Sequence, residues 1–142
     1  MKRWVTGSVL AAALLLVVAA PAGADPPTQV GPFEDTFDDV NPCTGLVHTV
    51  TIAATFSVHS HDGPIVAQGD RTLSTSSGFF GEGTSSFVLG EIEMFRFTDL
   101  LSNDAGDRIK ATGVFVEQDP DLEDLSTGTV RVDRFDLTCL GS

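Results

Sequence analysis

The stretch from Cys43 to His61 constrains the fold more than any other part of the chain. Leu46, His48, Val50, Ile52, Ala54, Phe56 and Val58 fall on one parity, and Thr49, Thr51, Ala53, Thr55, Ser57 and His59 on the other. An apolar residue at every second position is the pattern of a β-strand with one dry face and one wet face. Val, Ile, Thr and Phe suit such a pleated, half-buried surface. One cysteine stands just before this strand, and the only other cysteine, Cys139, stands near the far end of the chain.

The first 24 residues read differently. Lys2 and Arg3 precede an unbroken apolar run, Val9 to Ala20, and Ala22-Gly23-Ala24 follows as a small-x-small cleavage site. This predicts a secretory signal peptide over residues 1–24 and a mature start at Asp25. The apolar run is shorter than the ~20 residues a membrane span needs. The basic pair is Lys-Arg and not Arg-Arg, which gives a twin-arginine route no support. No cysteine stands directly after the cleavage site, which argues against a lipid anchor there, and no later stretch is long and apolar enough to span a membrane.

Asp25 to Ser142 suffices for one domain with a single core. Without Lys2 and Arg3 it holds six basic against twenty acidic residues, a net charge of −14. Such a surface repels nucleic acid and anionic lipid headgroups, and it favours solubility. In an exported chain two cysteines predict one disulfide, Cys43–Cys139. The bridge would close a loop of ~100 residues, worth about 4–5 kcal/mol in the chain-entropy model.

Residues 25–32 are Pro-rich and read as a flexible lead-in to a β domain over 33–142. Phe33 to Val40 reads as a short edge strand among acids, and Asn41-Pro42 as a turn into Cys43. After the Cys43–His61 strand, Ile65, Ala67 and Leu73 share a face with Arg71 between them. Phe79 to Leu89 is strand-like, with Gly81 and Gly83 suiting a bend. Glu91 to Leu101 carries Ile92 and Met94 on one parity, Phe95 and Phe97 on the other. That pattern fits a bulge, burial on both sides, or a surface for a partner, including a second copy through the Phe95/Phe97 face. Ser102 to Gly106 is a hairpin turn, and Arg108 to Gln118 alternates again. Thr129 to Cys139 changes phase, Val130 and Val132 against Phe135 and Leu137, which predicts a β-bulge at Asp133–Arg134.

No useful amphipathic helical stripe occurs. Six main strands with short turns predict an all-β antiparallel domain. In a six-strand meander the two cysteines fall at the ends of the first and last strands. A small β-barrel closed by that disulfide satisfies this geometry, and so does a β-sandwich with both strands in one sheet. The expected core is Val50, Ile52, Phe56, Val58, Ile109, Phe115, Val132, Phe135 and Leu137.

His59 and His61 are two apart and, with Asp62, carry ligand types for Zn²⁺ or Cu²⁺. No third ligand position is visible, so a polar strand end is the simpler reading. Asp119, Asp121, Glu123 and Asp124 crowd one loop suited to Ca²⁺ oxygen ligands, but Asp124 stands where an EF-hand loop needs glycine. Glu91 and Glu93 share a strand face, as a carboxylate pair for acid–base work would, but alternating acids on a wet face are the commoner case. His48 sits on the apolar parity, either as a core histidine or, with Phe56, Ala111 and Phe115, as the polar handle of a shallow apolar pocket. There is no Gly-x-Ser-x-Gly elbow, no phosphate loop and no thiol outside the disulfide.

Asn41-Pro42-Cys43-Thr44-Gly45 opening a strand, with Asp133-Arg134-Phe135-Asp136-Leu137-Thr138-Cys139 closing the last one, resembles a group of small exported proteins of actinobacteria. The resemblance implies export and the disulfide, and transfers no activity or site.

The leading expectation is a secreted, non-catalytic β-barrel binding or interaction module without cofactor, whose partner is a small apolar ligand or a protein. The alternatives are a small extracellular isomerase or cyclase with His48 inside the barrel, and a structural cell-envelope protein.

Overall fold

The computed structural model describes residues 26–60, 63–118 and 129–141. They form seven strands: β1 (Thr28–Val40), β2 (Val47–His59), β3 (Ile65–Thr75), β4 (Phe80–Leu89), β5 (Ile92–Ser102), β6 (Arg108–Gln118) and β7 (Thr129–Cys139). Each pairs antiparallel with the next in one seven-stranded sheet. The fold is all-β, as the alternation predicts. Among the described residues β1 pairs only with β2, and β7 only with β6, so the ladder leaves two edges. Hydrogen bonding therefore selects neither a closed barrel nor a sandwich. No helix among the described residues is long and apolar enough to cross a membrane.

The sheet coils because strands twist with a fixed hand. Val50 and Ile52 of β2, Leu73 of β3, Leu101 of β5 and Ile109 of β6 share a cluster with Phe79, and Phe37 of β1 and Leu137 of β7 pack against it. A second cluster joins Val30, Ala54, Phe56, Val58, Ala67, Phe87 and Leu89, with Phe33 and Phe95 against it. The Cys43–Cys139 disulfide ties the β1–β2 turn to the end of β7, with Cα atoms 5.0 Å apart.

Register defines the inner face as rows across the strands. One row runs Phe33, Ala54, Arg71, Gly83, Asp99, Ala111, Leu137. The next runs Val30, Phe56, Gly69, Ser85, Phe97, Gly113, Phe135. Glycine in a strand marks close approach of a neighbour. A Cβ on Gly83 would collide with the Asp99 carboxylate, and one on Gly113 with the Phe97 ring. At these positions side chains of the inner face lie over the neighbouring backbone.

Several expectations change. There are seven strands, not six, and β1 begins at Thr28 inside the expected lead-in. A bulge between Val30 and Phe33 turns both inward, so β1 adds a full strand of contacts to β2. The irregularity in β7 lies opposite Val116 and Glu117, between Val130 and Val132, not at Asp133–Arg134. Val132 consequently falls on the outer face opposite Val116, outside the core. Phe135 takes the inner parity but stays 43% exposed, because β7 is an edge. Leu137 and Phe115 are half-buried, whereas Val50, Ile52, Phe56, Val58 and Ile109 are core as expected. Phe95 and Phe97 also belong to the inner face, so they present no outward patch for a second copy.

Outside, register aligns Val66, Val88, Met94, Val116 and Val132 across β3 to β7. All five are half-buried, and Ile92, exposed, extends the row on β5.

Candidate functional site

His48 sits at the start of β2, on the inner face and 7% exposed. Its register partner on β1 is Asp39. Its Nδ1 lies 2.7 Å from the Oγ of Ser77, which occupies the β3–β4 turn. Thr75 Oγ1 is 3.2 Å from the same hydroxyl. Asn41, 1% exposed, donates from Nδ2 to Ser77 Oγ at 3.2 Å. Its Oδ1 accepts from the Cys43 amide at 2.8 Å, which fixes the orientation of the side-chain amide.

Local sequence explains the arrangement. Asn41 closes the β1–β2 turn by accepting from Thr44 and Gly45 through its carbonyl, and Gly45 takes a φ of 73° that glycine tolerates. The turn after Thr75 is held by Gly78 N–H to Thr75 C=O and by Ser76 N–H to Thr49 C=O. The two hairpin ends thus meet at Ser77. A serine hydroxyl has one proton and two acceptor positions. Asn41 fills one acceptor position, the Thr75 hydroxyl donates to the Phe79 carbonyl at 3.4 Å, and His48 Nδ1, unprotonated in one tautomer, is within reach of the Ser77 proton. Burial pushes the His48 pKa down from its ordinary value, with Asp39 partly opposing. A neutral imidazole facing a hydroxyl is the chemical arrangement of a general base.

A second polar group lies mid-sheet. Arg71 Nη2 is 3.2 Å from Asp99 Oδ2, and the guanidinium carbon is 4.6 Å from the centroid of the Phe97 ring. Burial pushes Asp99 up to about 6 against the pull of Arg71. Burial likewise lowers Arg71, opposed by Asp99. Arg71 Nε, Asp99 Oδ1 and Ser85 Oγ are buried without a hydrogen-bond partner.

A third group pairs two carboxylates. Glu93 and Glu117 face each other across β5 and β6, each 5% exposed. Burial first, and Glu117 second, push Glu93 up to about 7. The wet-face reading of Glu93 is therefore overturned: it shares the inner parity of Phe95 and Phe97.

Of the expected pocket residues, Ala111 shares the row of Ala54, six residues along β2 from His48. Phe115 lies two rows further, and Phe56 between the two. An open depression of about 410 Å³ lies over β3 to β5, lined largely by outer-face residues including Asp70, Thr72, Glu82, Thr84, Thr98 and Leu100.

Of the metal candidates, His59 is exposed at the end of β2, while His61 and Asp62 lie outside the described residues, as do the acidic stretch 119–124 and residues 1–24. No group of three or more His, Cys, Asp or Glu suited to a metal occurs among the described residues. Sequence reasoning missed Ser77, whose contact with His48 spans 29 positions. Arg71 was visible only as a charge among inward positions.

Comparison with protein-family models, with curated proteins and with solved structures found no match.

Proposed function

We propose that this is a secreted binding or interaction module that recognises its partner through its outer face. The observation that carries the reading is the apolar row Val66, Val88, Met94, Val116 and Val132, aligned across five adjacent strands. The inner face is occupied by its own side chains, which leaves the outside for a small apolar ligand or a protein partner. A contiguous apolar strip on a strongly acidic protein is the usual mark of an interaction site. Export is supported by the leader pattern of residues 1–24 and by a disulfide that suits an oxidising compartment.

Native mass spectrometry of protein recovered from culture medium tests the reading. A bound species in the wild type that disappears in Val88→Lys/Met94→Lys supports it. Absence of any bound species, or retention in the variant, overturns it.

A second reading, an enzyme with His48 as base, is favoured by one observation: the Ser77 hydroxyl at 2.7 Å. Asp39 and Asn41 add further polar groups beside His48.

A further inference from the structure

We infer that Ser77 is an acyl-accepting nucleophile served by His48, so that the end of the sheet holding the β1–β2 and β3–β4 turns is a serine-hydrolase-type site for small, accessible esters. The inference rests on the reading of His48 as base and adds a covalent step to it.

Four features place the parts. Ser77 is an exposed residue on a tight turn, and its Oγ lies at the edge of the buried Asn41 and His48 side chains. His48 Nδ1, at 2.7 Å, is within the reach a base needs. Asp39, the register partner of His48, supplies negative charge on the inner face beside the ring, and one of its oxygens is engaged by the Val40 amide at 2.8 Å. Asn41 Nδ2 donates one N–H to Ser77 Oγ at 3.2 Å, and its second N–H is the donor assigned to the substrate's carbonyl oxygen, on which the negative charge develops. Its orientation is locked by the Cys43 amide, so the donor is preorganised.

The step balances without a cofactor. Ser77 Oγ bonds to the ester carbonyl carbon, and its proton passes to His48 Nδ1. The bond from that carbon to the alkoxy oxygen breaks, and His48 returns the proton to the leaving alcohol. Water then repeats the sequence on the acyl-serine, releasing the acid and restoring Ser77. The net reaction is ester and water to acid and alcohol.

The constellation also knits two hairpins together, and structural serines do that without reacting. The distinction is chemical. A nucleophilic Ser77 reacts with a fluorophosphonate: a P–O bond forms, fluoride leaves, and the proton goes to His48. A serine that only packs does not.

The test treats the mature protein with an alkyl fluorophosphonate and maps the adduct by peptide mass spectrometry. Hydrolysis of p-nitrophenyl acetate is followed in parallel for wild type, Ser77→Ala and His48→Gln, with folding checked by circular dichroism. The inference expects one adduct, on Ser77, and a loss of hydrolysis of about 10²-fold or more in both variants. No adduct on wild type overturns it, whatever the variants do. If Ser77→Ala hydrolyses as well as wild type while His48→Gln does not, the nucleophile is refuted and His48 as base stands. If neither adduct nor His48-dependent hydrolysis is found, both readings fall.

Discussion

Arg71 reaches across Gly83 to meet Asp99, Nη2 to Oδ2 at 3.2 Å, inside the coiled sheet. Neither residue is the register partner of the other. They meet because the strand between them carries glycine, and the Asp99 carboxylate occupies the space where a Cβ would stand. Removing one partner strands a buried charge. Asp99→Ala should cost about 3–5 kcal/mol in urea unfolding, and Arg71→Met/Asp99→Leu should cost much less. Equal losses would show that the pair is not the reason for the penalty.

Protonation offers a separate check. Burial raises Glu93 to about 7 and Asp99 to about 6. A group raised on folding stabilises the fold fully below its unfolded value and loses that contribution as pH climbs through the folded value. Both therefore make the protein more stable at pH 5 than at pH 8. His48, lowered by burial, works in the opposite direction. Tm should fall between pH 5 and pH 8, and Glu93→Gln should flatten the fall. An unchanged slope in Glu93→Gln would remove Glu93 as its source.

The disulfide joins positions 96 residues apart and holds the β1–β2 turn against the end of β7. In the chain-entropy model a loop of ~100 residues contributes about 4–5 kcal/mol. Cys43→Ser should lower Tm substantially. Ellman titration of the unreduced, denatured wild type should find no thiol; two per chain would refute the bridge in solution.

Phe56 is 1% exposed, and the adjacent Thr55 faces solvent. Phe56→Ala should cost roughly 3–5 kcal/mol, and Thr55→Ala under about 1 kcal/mol. Equal costs would mean that the two faces of β2 are assigned the wrong way round.

The legible parts of the sequence were those set by local pattern. The alternation of β2 gave its buried face residue by residue, and the presence of only two cysteines gave the bridge. Local pattern failed where register decides. Phe33, Asp35, Phe37 and Asp39 alternate apolar with acidic residues on the inner parity, so β1 read as a minor edge although it pairs along its length. The phase change in β7 was visible, but Val130, Val132, Phe135 and Leu137 fit more than one bulge position. Glu93 read as wet because a carboxylate alternating with Glu91 usually is. Its burial comes from β6 bringing Glu117 opposite it. The contact of Ser77 with His48 joins two hairpin ends, and no periodicity encodes such a meeting.

The central claim is that the protein's own side chains occupy the inner face, so that recognition takes place on the outside. Titration of the mature protein with a polarity-sensitive naphthalene dye, followed by displacement with fatty acids and aromatic compounds, tests it most directly. The account predicts no sub-micromolar, saturable one-to-one binding that responds to Phe97→Trp on the inner face. Sub-micromolar binding with stoichiometry one, abolished by Phe97→Trp and unaffected by Val88→Lys on the outside, would contradict it.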